Sequence, residues 1–211
     1  FAYLAGLLFL VEGTVRLLGI PEYLLPRPTI VLAEIIRTWP TIAYHLGITL
    51  TEALLGFAGG NVLAIIFALL FSQSRPLRQG FYPVIVALQA VPLVAIAPFV
   101  LIWFGPGLLG KAIMAGLICY FPATVIATDG FSRVNRDALA LLESLGAGPW
   151  IVFKSLRFPS AVPGIMSALE VSASLCTIGA IVAELAGASK GVGYLVVMAS
   201  YEFRTPTLFA V

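Results

Sequence analysis

Apolar runs of about twenty residues recur along this chain, and no other feature restricts its fold as much. A helix needs roughly 20 apolar residues to cross a bilayer. In lipid every backbone N–H and C=O must find a partner within the protein, so runs this long should be helices. Five are largely present: Phe1–Leu18, Ile42–Phe71, Phe81–Phe104, Leu108–Thr128 and Ala161–Leu185. A sixth begins at Thr207 and stops with the chain. The expectation is an all-α polytopic membrane protein with five to six transmembrane helices. Residues 1–211 read as one transmembrane domain, truncated at both ends, since the chain opens on Phe1 and closes in mid-pattern at LFAV.

Composition supports a lipid solvent. Hydrophobic residues fill 60% of the positions and charged ones 10%, against roughly 25% charge in soluble domains. Mean hydropathy is +1.04. A soluble fold of this length has too little interior to hide so much apolar surface. The net charge of +2 includes no basic tract, so nothing points to nucleic acid. Cys119 and Cys176 both fall in apolar runs. They read as small buried hydrophobes rather than a disulfide framework. The first run lacks the basic leader and cleavage pattern of a signal peptide.

Within the runs, Gly56, Gly59, Gly60 and Ala64 offer a small-residue face for close helix packing. Pro92, Pro98 and Pro122 lie inside runs, where each removes a helical hydrogen bond. The Pro92–Pro98 segment is expected to be irregular and buried against protein, either as part of a translocation path or as simple helix packing. Between the first two runs, a short amphipathic helix should start near Pro28, with Trp39 and Tyr44 at the headgroup level. If the chain enters from the cytoplasm, loops 72–80 and 129–158 are cytoplasmic. They hold Arg75, Arg78, Arg133, Arg136, Lys154 and Arg157, against Arg27, Arg37, Lys111, Lys190 and Arg204 outside. Six against five permits that orientation without deciding it.

A charged segment, GFSRVNRDALALLESLGAGPWIVFKSLRFP at 130–159, separates two apolar runs. Asn135 or Asp137 can cap a helix that Gly146 would stop. Leu139, Leu142 and Leu145 mark one face of it. Pro149 can open a second short helix over Trp150–Leu156, and Pro159 precedes the next run. Two short helices joined at a glycine would present Trp150, Phe153 and basic groups to the cytoplasm. Such residues suit a protein partner. A segment lying on the membrane surface is the other reading.

The segment resembles the cytoplasmic signature of permease subunits from binding-protein-dependent ABC importers: EAA, three residues, Gly, nine residues, then Ile-x-Leu-Pro. Gly146 takes the glycine position, Ala147–Ser155 follow, and Leu156, Arg157, Phe158 and Pro159 complete the spacing. The EAA part departs, with Ala140, Leu141 and Leu142 in its place, and Glu143 three residues past the glutamate position. The chain is most similar to the nitrate/sulfonate/taurine group, which includes thiamine-precursor and riboflavin permeases. LPRPTIVLAEI, SQSRPLRQGFYPVIVALQAVPLVAIAPFVLIWFGPG and GAIVAELAGASKGVGYLV carry that resemblance in order. It implies a multi-pass subunit of the bacterial inner membrane, paired as a permease homodimer. A cytoplasmic ABC ATPase dimer would hold ATP and Mg, and a solute-binding protein would dock from outside. Residues 129–158 become the coupling segment, with Asp137, Glu143, Gly146, Ala147, Trp150, Leu156, Phe158 and Pro159 toward the ATPase.

This chain should not itself be an enzyme, and it should take no cofactor or metal. It has no GxxxxGK[ST] phosphate loop; GPGLLGK at 105–111 has the wrong glycine spacing and no preceding strand. Ionisable groups within spans are costly and often functional. Glu170 and Glu184 therefore join Pro92 and Pro98, chosen for their irregular backbone, as the pathway or gate candidates. Glu170 would serve either the path or helix packing. Glu184 is expected near the outer end, where its match to a recurrent position of the resembled family implies a gate or a binding-protein contact. Glu52 reads as a pairing between helices, Asn61 as a buried polar contact and His45 as a surface residue. Ser167, Ser172, Ser174 and Thr177 would either line a polar lumen or permit close helix approach. A non-transporting scaffold that recruits a cytosolic partner is the alternative function. A secondary transporter is weaker, since no inverted repeat is visible. The cargo stays open between anions, sulfonates and heteroaromatic vitamins or precursors, with a slight lean toward the last.

Overall fold

The computed structural model describes residues 2–211, so Phe1 of the first apolar run lies outside it. Ten α-helices follow one another among those residues: α1 (Ala2–Leu17), α2 (Pro28–Gln73), α3 (Arg75–Leu88), α4 (Leu93–Phe104), α5 (Leu108–Ser132), α6 (Arg136–Ser144), α7 (Pro149–Val152), α8 (Phe158–Leu185), α9 (Val192–Tyr201) and α10 (Thr205–Ala210). A π-helical turn, Phe153–Arg157, joins α7 to α8.

The all-α expectation holds, but the expected five to six spans do not. Among the described residues only three helices are long and apolar enough to cross a membrane: Pro28–Gln73, Leu108–Ser132 and Pro149–Leu185. The first run yields a helix of 16 residues, about 24 Å long at 1.5 Å per residue, against a hydrocarbon core of about 30 Å. The run Phe81–Phe104 breaks at Gln89–Pro92 into helices of 14 and 12 residues. Pro92 has no N–H to give and disfavours helical backbone at Val91, so the helix cannot pass through. The last run becomes the six-residue α10. Conversely, α2 starts at Pro28 as expected but runs 46 residues to Gln73, straight through Pro40. The short amphipathic helix and the second span are therefore one helix.

The chain folds as two compact units. One comprises the chain up to Thr51 together with Glu184–Val211, and the other comprises Glu52–Ala183. The second unit has a core of small residues. Ala64, Ala68, Ala123, Ala127, Ala161 and Ala168 pack with Phe131 and Ile165. Lipid offers helices no hydrophobic reason to associate, so close backbone approach supplies the contact energy. On α2, a Cβ at Gly56 would lie 2.6 Å from the Ala115 Cβ, and one at Gly60 2.7 Å from the Cys119 Sγ. Gly59 has nothing near it and takes no part in that crossing. The outer faces remain apolar, with Leu54, Leu63, Ile102 and Trp103 all more than half exposed.

Candidate functional site

Residues 129–159 all lie in the second unit, and local chemistry shapes them. Ser132, at the end of α5, accepts a hydrogen bond from Arg78 Nη1 at 3.1 Å. Asn135 then caps α6: its Oδ1 accepts from the backbone N–H of Asp137 at 2.8 Å and of Ala138 at 3.1 Å. Asp137 sits in the first turn, where the helix dipole favours negative charge. Gly146 ends the helix in the left-handed region at φ 74°. There the Ala147 N–H reaches the Leu142 carbonyl and the Gly146 N–H the Glu143 carbonyl, both at 3.0 Å.

An added Cβ at Gly146 would meet open space. The glycine therefore serves conformation rather than packing. Gly146→Ala is expected to weaken the end of α6 by about 1 kcal/mol, and Gly146→Asn to recover part of it, because asparagine tolerates that backbone region. Hydrogen exchange at Gly146 and Ala147 in the two variants checks this; equal protection would sink it.

Pro149 opens α7, but no separate second helix follows. The chain widens into the π turn, where the Phe158 N–H reaches back to Phe153, and continues directly into α8. Pro159 accounts for the widening: it has no N–H, and its ring crowds the carbonyl four residues back, at Ser155. Single π turns of this kind are frequent at functional sites.

Trp150 is 71% exposed and stacks on Phe153 at 5.7 Å, which in turn meets Phe158 at 5.9 Å. A cleft of about 650 Å³ opens beside them, lined by Leu69 and Gln73 of α2 and by Glu143, Ala147, Trp150, Phe153 and Arg157. Asp137 and Pro159 are exposed, Ala147 and Leu156 half-buried, and Phe158 46% exposed. Of the expected leucine face, Leu139 and Leu142 turn partly inward, whereas Leu145 is 73% exposed.

The span candidates separate. Pro92 precedes α4 and Pro98 lies within it, both exposed. Glu170 is exposed on α8. Ser172 is buried and donates to Asn61 Oδ1 at 2.9 Å, so Asn61 is the expected buried polar contact and Ser172 belongs to packing rather than to an open face. Glu52 forms a buried ion pair with Lys111, which lies in the first turn of α5 rather than in a loop.

In the first unit, Glu184 is 1% exposed. Its carboxylate accepts from Thr49 Oγ1 and from the Gly193 N–H, both at 2.7 Å. The Thr49 oxygen accepts from the Val192 N–H, and His45 Nδ1 from the Gly191 N–H, each at 2.9 Å. Three consecutive N–H groups at the start of α9 are thus satisfied by side chains of α2 and α8. His45 is buried and stacks on Tyr194, so the surface reading of it fails. Sequence reasoning missed this cluster; its only local trace is the glycine-rich GASKGVG.

Long apolar helices and small-residue crossings define a multi-pass helical membrane protein. Residues 60–211 match the family of binding-protein-dependent transport system inner membrane components, and the chain belongs to that family. It is 34% identical over 208 residues to the probable ABC transporter permease protein of Haemophilus influenzae, covering 98% of this chain and 85% of that one. It is also 34% identical to the formylaminopyrimidine transport permease protein of Halalkalibacterium halodurans, over 94% of this chain and 80% of the other. Identity to the riboflavin transport system permease protein of Chloroflexus aurantiacus is 31%, over 94% and 75%. The chain is a membrane permease subunit of an ABC-type importer, itself non-catalytic. Among the described residues no group of three His, Cys, Asp or Glu side chains could hold a metal. As a family, such permeases work with an ATPase and a solute-binding protein.

Proposed function

We propose that the segment Asp137–Pro159 is where this permease receives the stroke of its ATPase, within a complex that also includes a second permease copy and a binding protein. The observation that carries this is the exposed Trp150, stacked on Phe153 beside a cleft edged by Glu143 and Arg157. An aromatic anchor flanked by charge is what a protein partner grips. The segment is also placed to pass force on. α6 is held at both ends by its cap and its glycine, and the π turn runs into α8 without a break. A push on Trp150 therefore acts on a spanning helix. Alternating access needs such an element, with two positions that the partner's ATP cycle selects between.

The test is co-purification of the ATPase with membranes carrying Trp150→Ala or Trp150→Phe. Trp150→Ala should lower ATPase association at least tenfold while leaving membrane insertion intact, since buried interface tryptophans commonly contribute about 2 kcal/mol or more. Trp150→Phe should restore most of it. Full association of the alanine variant would overturn the docking assignment and favour a segment that lies on the membrane.

A further inference from the structure

One face of α8 is out of keeping with a helix surrounded by lipid. Pro163, Ser167, Glu170 and Ser174 are exposed, and Thr177 is half-exposed. Spacings of four, three, four and three residues stack them in a single stripe. Met166 and Ile178, to either side, are apolar and more than half exposed. Glu170 stands nine residues past Ala161, roughly 14 Å along the helix axis, within a long apolar span. It makes no hydrogen bond or ion pair among the described residues. Carboxylates at such a depth face a protein interior or a water-filled cavity, because lipid solvates them too poorly.

At one end the stripe runs into a cleft of about 410 Å³, whose lining includes Asp129, Arg133, Ser160, Gly164 and Ser167. Ser167 belongs to both. α5 and α8 cross closely beside it, where a Cβ at Gly164 would lie 2.6 Å from the Gly130 Cα. Stripe and cleft form one polar track from mid-span to the charged end of α5. A dry two-fold contact between copies is a poor alternative. It would bring each Glu170 toward its own counterpart and desolvate two like charges.

We propose that the Ser167–Glu170–Ser174 stripe faces the solute path and that Glu170 sets its charge preference. The cargo is then a small uncharged or cationic solute rich in N–H or O–H donors, not a sulfonate or nitrate anion. This rests on the permease reading above. The carboxylate is the one acidic group on the exposed stripe, and no arginine or lysine shares the stripe to offset it. An anion passing it would meet repulsion in a site of low dielectric, whereas a donor or cation would be drawn to it.

The test needs no knowledge of the cargo. Ser174→Cys, one turn from Glu170, is made in the full importer complex in lipid vesicles. It is labelled with a trimethylammonium methanethiosulfonate and with a sulfonate methanethiosulfonate, each rate normalised to that reagent's rate with a free thiol. The parent chain serves as background, because Cys119 and Cys176 are buried. Both reagents should react, the cationic one about tenfold faster, and Glu170→Gln should bring the ratio close to one. An Ile102→Cys control, on the apolar outer face of α4, should stay unlabelled. Absence of labelling at Ser174→Cys would place the stripe in a packed contact and overturn the proposal. Equal rates for the two reagents, or a ratio unmoved by Glu170→Gln, would overturn the charge preference. ATPase co-purification, measured on the same vesicles, reports on the permease reading separately.

Discussion

Gly191→Ala is expected to unfasten the start of α9 and to lower the thermal midpoint of the detergent-solubilised protein by about 10 °C. Two independent effects add. The backbone at Gly191 has φ 115°, which a residue with a Cβ adopts only under strain of roughly 1–3 kcal/mol. A Cβ there would also overlap the Glu184 carboxylate. That carboxylate has no room to retreat without releasing Thr49 and the Gly193 N–H, and charge-assisted bonds of this kind contribute roughly 1.5–3 kcal/mol each. Hydrogen exchange should speed at Gly191, Val192 and Gly193 together, since their N–H groups share the cluster. Glu184→Gln offers the useful contrast. It keeps the size and one acceptor but turns an amide N–H toward a group that is itself a donor, either the Thr49 hydroxyl or the Gly193 N–H. A milder loss is expected, about 1–3 kcal/mol. If Glu184→Gln left stability untouched while abolishing transport, anchoring would be the wrong role and the gate expected from sequence would gain. A midpoint for Gly191→Ala within a degree of the parent would show that the loop relaxes freely.

What could be read without the structure follows how far each determinant reaches along the chain. The Asn135 cap and the Gly146 stop are local, and both were legible because a cap needs only its own first turn and a C-terminal glycine only its last. The number of spans was not. Hydropathy summed over Phe81–Phe104 passes across Gln89–Pro92, where the apolar residues continue but the helix does not. Pro92 marks the irregularity in the sequence, but a hydropathy sum is blind to a break that leaves helices of 14 and 12 residues. In the other direction, the polar residues around Trp39 and His45 looked like the end of one helix and the start of another, and α2 carries them through without a break.

Contacts over long sequence distances left the least trace. Thr49 and Glu184 meet across 135 positions, and His45 and Gly191 across 146. A lone histidine beside Tyr44 reads as an interface residue until the chain segment that covers it is known. Glu170 differs in kind. Its exposure emerges only from the helix phase set by Ala161, Ile165 and Ala168, which turn inward and leave Glu170 on the opposite side. The serines of the same region divide by that phase as well, Ser172 inward to Asn61 and Ser167 and Ser174 outward.

Lys111→Met is expected to be the most damaging single change in the second unit. Lys111 and Glu52 are 4% and 1% exposed and form an ion pair between α5 and α2. Breaking a buried pair from one side typically costs 3–5 kcal/mol, because the remaining charge keeps its desolvation penalty and loses its compensation. The pairing also sits near the Gly56 crossing with Ala112 and Ala115, so a displaced Glu52 would press on helices that have no slack. The double variant Glu52→Gln, Lys111→Met should recover most of the loss, since two neutral side chains of similar volume no longer demand each other. Thermal or denaturant unfolding of both singles and the double, in the same detergent, gives the coupling directly. A coupling above about 2 kcal/mol is expected for a pair this dry. Independent, additive effects in the two singles would mean that water reaches the site. The pair would then hold the helices no more firmly than a surface ion pair, whose contribution is about 0–1 kcal/mol.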